Sequence, residues 1–246
     1  MSDAVAAPFS GWDFGYLRGK VRECEIPWSY EDLARAQIST TTRLLDLDTG
    51  GGETLAGVLE PFRSVGRGPA HVVATESWPP NVPVARERLE PLGIFVHESA
   101  PEQLPAEDAA FDVVLNRHGA CNLAELKRVL APGGVYLNQG VGKDNDIQLN
   151  EVLDGPPPPY AETLERTVTA LEGLGFEIAM AEEAFVDYGF RDIGAVVFHL
   201  NAVSWQVPGF DVEKYDRRLR DLDARIRADG EFVVRHHRFV VKAIKP

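Results

Sequence analysis

The chain has 246 residues, 44% of them apolar and 26% charged, a balance that supplies a buried core and excludes a disordered chain. Its formal charge of −13 repels phosphate polyanions and argues against a broad nucleic-acid-binding face, although a local basic pocket stays compatible with it. The longest apolar run, residues 193–200, is far shorter than a membrane span, and no signal peptide is visible over residues 1–9, so a cytoplasmic protein is expected.

Residues 1–42 read as a helical and aromatic arm that carries Trp12, Trp28 and Tyr30. Apolar runs then alternate with amphipathic stretches. Residues 44–47 read as a buried strand, and a glycine turn at 50–52 leads into a helix over 53–62. A strand at 71–75 is followed by a proline turn at 79–80 and a helix over 82–92, which Gly93 closes. Short strands follow at 94–96 and 111–115. A helix over 122–130 stops at Pro132-Gly133-Gly134, and 135–139 is a fifth strand. Such strand–helix units with short loops predict a parallel, doubly wound sheet. Beyond them lie an extended proline spacer at 156–159, a helix over 161–174 and a strand at 176–180. Residues 192–203 fit helix or strand, with helix preferred. Val212, Tyr215, Leu219, Leu222 and Ile226 mark an amphipathic helix, and 232–244 alternates as a last strand. With no repeat and no long linker, residues 43–246 read as one compact domain with an insertion at about 181–230. Cys24 and Cys121 cannot build a disulfide framework and read as free thiols.

The densest signal is the first turn, where Asp46 ends a strand and Asp48, Gly50, Gly51 and Gly52 follow. Glycines there let backbone N–H groups approach a ligand at the positive end of a helix; a tight turn without a ligand is the plainer alternative. A dinucleotide fingerprint would need glycine where Leu55 stands, and a phosphate loop would need lysine where Val58 follows Gly57. There is no G-x-S-x-G, H-E-x-x-H or C-x-x-C, and no His/Asp/Glu cluster has metal spacing, so no metal is predicted.

The segment Asp46-Leu-Asp-Thr-Gly-Gly-Gly52 resembles the first motif of class I S-adenosylmethionine (SAM) methyltransferases, D/E-x-G-x-G-x-G, with Asp48 in place of the first glycine. Residues 71–76, ending at Glu76, resemble the family's second strand. Residues 104–114 resemble the stretch into its fourth, and 126–135 its "RVL-x-PGG" signature. The resemblance covers residues 43 to about 140. It implies a Rossmann-like α/β fold, a doubly wound and mostly parallel seven-stranded sheet with helices on both faces. It also implies SAM or its product S-adenosylhomocysteine (SAH) as cofactor. Asp46, Asp48, Gly50, Gly52 and Asn116 would line the site, with Glu76 on the ribose and Glu102 and Gln103 at the adenine. The function implied is methyl transfer to a small-molecule acceptor; the alternatives are an RNA methyltransferase and a SAM-binding scaffold that transfers no methyl.

By the same resemblance, the loop Asn116-Arg117-His118-Gly119 faces the transferable methyl. His118 then reads as a general base and Arg117 as a bidentate clamp for an anionic substrate; both also fit a polar loop braced on its neighbours. Trp12, Trp28 and Tyr30 read as a substrate lid or as staples holding the arm, and Trp205 as a substrate wall. Asp48 should crowd a bound cofactor, yet aspartate tolerates the positive φ that the turn needs.

Overall fold

The structure, a computed structural model, describes residues 2–23, 25–159 and 162–246; the Cys24 expectation and the expected helix start at Ala161 lie outside them. The arm contributes α1 (Ser2–Val5), β1 (Val21–Arg22) and α2 (Tyr30–Arg35). The apolar runs then form β2 (Arg43–Leu47), β3 (His71–Glu76), β4 (Phe95–Glu98), β5 (Phe111–Arg117) and β6 (Leu130–Val141). Between them lie α3 (Glu53–Ser64), α4 (Val82–Leu89) and α5 (Leu123–Val129). Because each connection is a crossover, the strands pair in parallel: β2 with β3 and β5, β3 with β4, and β5 with β6. The chain continues through α6 (Ile147–Leu153), α7 (Leu164–Gly173), β7 (Glu177–Phe190), α8 (Ile193–Ala202), α9 (Asp216–Asp229) and β8 (Phe232–Ile244).

The sheet order is β1-β7-β8-β6-β5-β2-β3-β4, eight strands where seven were expected. The eighth is β1, which pairs antiparallel with β7 through Val21↔Phe190 and Arg22↔Gly189. Two residues carry no periodicity, so only pairing reveals such a strand. β7 runs ten residues past the expected end at Met180, and residues 192–203 resolve as the helix α8.

The chain divides into two compact units, and β7 and β8 each pass through both. The described residues of Met1–Pro27, Val141–Glu162 and Ala184–Arg238 form one. Its core is built on α8, where Ala195, Val196, Val197 and Leu200 are fully buried, packed with Phe190, Leu219 and Leu222. The other unit comprises Trp28–Gly140, Thr163–Glu183 and Phe239–Pro246. Its core joins Leu45, Val114, Leu126, Tyr136, Leu171 and Phe239. Among the described residues, no helix is long and apolar enough to cross a membrane.

Candidate functional site

β2 sits where the strand order reverses, with β3 and β4 on one side and β5 and β6 on the other. In an open α/β sheet, ligands bind at the carboxyl ends of the strands at such a point. The register brings Asp46 opposite Leu115 and Leu47 opposite Asn116, and Glu76 ends β3 opposite Glu98. Asp46, Glu76 and Asn116 therefore lie at one edge of the sheet.

Asp46 is 7% exposed. Burial, reinforced by the carboxylates of Asp48 and Glu76, pushes its carboxyl up to about 7. Glu76 is buried too, and its carboxylate accepts the N–H of Gly50 at 2.6 Å and of Trp78 at 2.8 Å. Burial raises its pKa, while those two N–H groups act in the opposite direction. The turn before α3 places Gly50 at φ 65° and Gly52 at φ 80°. Gly52 cannot be replaced cheaply, because a Cβ there would lie 2.8 Å from the Leu89 side chain.

Asp48 takes φ 48°, the left-handed conformation expected for it. Its carboxylate accepts the N–H of Ser77 at 3.0 Å and of Ala120 at 2.9 Å. One side chain thus ties the glycine turn to the loops after β3 and β5. The cavity left beside it, walled by Leu47, Asp48, Thr75, Leu104, Ala120 and Cys121, has about 10 Å³, space for one water at most. Cys121 is half-buried and free, and burial pushes its thiol up to about 11, which keeps it protonated and unreactive.

The loop after β5 is braced from within. Asn116, buried, donates through Nδ2 to the Gly119 carbonyl and to Tyr136 Oη, both at 3.2 Å, and accepts the Gly119 N–H at 3.0 Å. His118 is exposed at φ 66°, with Nε2 3.1 Å from Gln139 Nε2. Gln139 Oε1 accepts the Trp28 indole N–H at 2.8 Å, so its amide nitrogen is the donor and His118 Nε2 the acceptor. The lone pair that a general base needs is therefore engaged by Gln139. Arg117 is exposed and donates to Thr54 Oγ1 at 3.3 Å. Glu102 and Gln103 are exposed; the Gln103 N–H donates to the Ala100 carbonyl at 3.2 Å.

The four aromatic candidates fall into two pairs. Trp28 and Tyr30 are buried in the unit that holds Glu76, where Trp28 holds Gln139. Trp12 and Trp205 belong to the other unit, 37% and 42% exposed, with ring centroids 5.6 Å apart and edge-on.

Sequence reasoning did not find Ser77, Ala120 or Gln139. The first two act through backbone N–H groups, which no side-chain pattern reports, and Gln139 meets Trp28 across 111 residues of chain. It also missed a buried cluster in the unit that holds Trp12. Asp146, 1% exposed, lies 3.3 Å from His199 Nε2 and 3.4 Å from His236 Nε2. Burial drives His236 down to about 4, so it is neutral at pH 7. Alternation along β8 does set His236 and His237 apart: His236 stacks on Tyr188 and His237 on Phe185, each at 4.2 Å. Among the described residues, no group of three His, Cys, Asp or Glu is arranged to hold a metal ion.

Residues 45–138 match a family model described as a methyltransferase domain. Among curated proteins, a demethylmenaquinone methyltransferase of Thermus thermophilus is 33% identical over 166 residues, 61% of this chain and 67% of that protein. A ubiquinone biosynthesis O-methyltransferase of Cereibacter sphaeroides is 38% identical over 104 residues, 39% of each chain, so less than half of that relative is spanned. A crystal structure of a methyltransferase candidate from Bacillus halodurans superposes with a TM-score of 0.64 at 21% identity, covering 89% of this chain and 99% of that one, a likeness of fold. The chain belongs to the class I SAM-dependent methyltransferases.

That family implies SAM, and the residue types at the β2–β3–β5 edge suit it. A buried carboxylate with two acceptor oxygens ends β3, and buried glycines at positive φ form the turn before α3. Asp48 meanwhile bridges the loops after β3 and β5 across that edge.

Proposed function

We propose that the chain transfers a methyl group from SAM to a small-molecule acceptor. The observation that carries this reading is Glu76, a buried carboxylate at the end of β3 whose two oxygens face the glycine turn and the following loop. When bound, SAM supplies an electrophilic methyl on a positively charged sulfonium. Of this chain's residues, Glu76 would hold the ribose hydroxyls through charge-assisted bonds, exchanging its present N–H partners for them. The turn at Gly50 and Gly52 would leave backbone room for the ligand, with Asp46 beneath it. His118 would take the acceptor's proton once it releases Gln139, and Arg117 would steady an anionic group. Most of the rate would come from holding acceptor and methyl in line.

The names of the relatives support an acceptor of the quinone-precursor kind, and the charge of −13 supports a small molecule over RNA. Calorimetric titration tests the cofactor assignment. Glu76→Gln removes a charge and places an amide N–H against a backbone N–H, so SAM affinity should fall by about 1.5–3 kcal/mol. An unchanged dissociation constant in folded Glu76→Gln protein would remove Glu76 from the site. Transfer itself is read as the mass gain of one methylene on an acceptor incubated with protein and SAM. A scaffold that binds SAM without transferring methyl is the second reading, favoured by Asp48 in place of the motif's first glycine; binding without methylation of any quinone precursor would select it.

A further inference from the structure

We infer that Asp48 is a clasp that shuts the cofactor cleft, and that cofactor entry and exit require its release; this rests on the SAM-binding reading of the same edge. Three observations converge. The Asp48 carboxylate accepts from Ser77 N–H and Ala120 N–H, which belong to the two loops that flank β2 on either side. Gly119 lets the second loop close this far: a Cβ at that position would lie 2.4 Å from the Asp48 Cβ. The cavity beside Asp48, walled also by Leu47, Thr75, Leu104 and Ala120, holds about 10 Å³, far too small for a nucleoside.

The chemistry explains why an aspartate serves here. Two exposed backbone N–H groups on separate loops share one acceptor, because a carboxylate on the intervening turn reaches both with charge-assisted bonds. A ligand entering the cleft must break both bonds and move the side chain, so part of its binding free energy is spent on opening. A glycine at 48 would leave the two N–H groups to water and the loops free to part. Asp48 therefore lowers cofactor affinity and slows exchange while holding the closed form together. The loops after β3 and β5 are the elements it biases.

The test compares wild type, Asp48→Gly and Asp48→Asn by NMR-detected amide exchange at Ser77 and Ala120, and by calorimetric titration with SAM and SAH. In wild type without ligand, both amides should be protected; in Asp48→Gly that protection should be lost. SAM and SAH should each bind Asp48→Gly at least about tenfold more tightly, the scale set by two charge-assisted bonds. Asp48→Asn keeps one acceptor oxygen and should fall between the two, which guards against a glycine variant that simply fails to fold. Unchanged amide exchange in Asp48→Gly overturns the clasp even if SAM binds. Lost protection with unchanged or weaker SAM and SAH affinity overturns the gating role. If wild type and both variants bind neither SAM nor SAH, the SAM-binding reading falls, and the gate falls with it.

Discussion

Asp46 pairs a structural position with an unfavourable charge, and the two can be separated by pH. Its carboxyl titrates near 7 in the folded protein because it is buried beside Asp48 and Glu76, against about 3.9 in an unfolded chain. Between those values the folded state binds the extra proton, so the Asp46 contribution to stability is present below pH 4 and lost as pH rises through 7. His236 works in the opposite direction. Its folded pKa near 4 lies below the ordinary imidazole value, so its contribution grows as pH rises from 4 to 6.5. The wild-type profile mixes the two, and a variant is needed to separate them. Asp46→Asn should be more stable than wild type at pH 8 by on the order of 2–4 kcal/mol, and the gap should close by pH 4. Urea unfolding midpoints across pH 4–8 check this; a gap independent of pH would mean that burial does not raise the Asp46 carboxyl. At this scale the sequence was legible where a residue's role follows from its neighbours in the chain. The positive φ of Asp48 is such a case. The partners of its carboxylate, 29 and 72 residues away, are not.

α8 shows how an element can be clear in type yet hidden in period. Nine of its ten residues are buried, so no polar stripe reveals a helical repeat, and the segment admits a strand as easily. What starts it as a helix is local: Asp192 is extended and its side chain accepts the Ala195 N–H at 3.0 Å. Asp192→Ala should cost about 1 kcal/mol, the usual worth of such a cap, and lower the thermal midpoint by a few degrees without changing SAM affinity. α9 is the contrasting case, with Leu219, Leu222 and Ile226 buried on one stripe and Gly230 ending it at φ 87°. β7 was read too short because residues 181–187 alternate only weakly and include Glu182, Glu183 and Asp187. Their strand conformation comes from pairing, not from an apolar run. α6 was missed for a related reason. It has seven residues, and its buried Asn150 is held by donating to the Gln206 carbonyl at 2.6 Å, across 56 residues.

The whole chain carries −13, and several of its arginines are paired with carboxylates. Arg22 with Glu231, Arg43 with Asp112, Arg88 with Glu53 and Arg128 with Glu125 form close ion pairs. Arginines so engaged do not make a basic stripe, and the RNA alternative predicts one. Filter binding to a short single-stranded RNA should therefore show no retention, even at low ionic strength, where phosphate contacts are strongest. Salt-sensitive retention at low ionic strength would restore RNA as the acceptor.

The resemblance to class I methyltransferases placed Asp46, Glu76 and Asn116 at one ligand edge, whereas the alternation of strands and helices from 43 to 139, and with it the parallel sheet, was legible in the residues themselves. Those follow from local period and turn chemistry, which are written along a few neighbouring residues. The tertiary structure alone decided the eighth strand, the burial of Trp28 and Tyr30, the Asp146–His199–His236 cluster and the bonds of Asp48 to Ser77 and Ala120. Each of these depends on groups that meet through folding across long stretches of chain, several of them backbone N–H groups common to nearly every residue, so no spacing in the sequence could announce them.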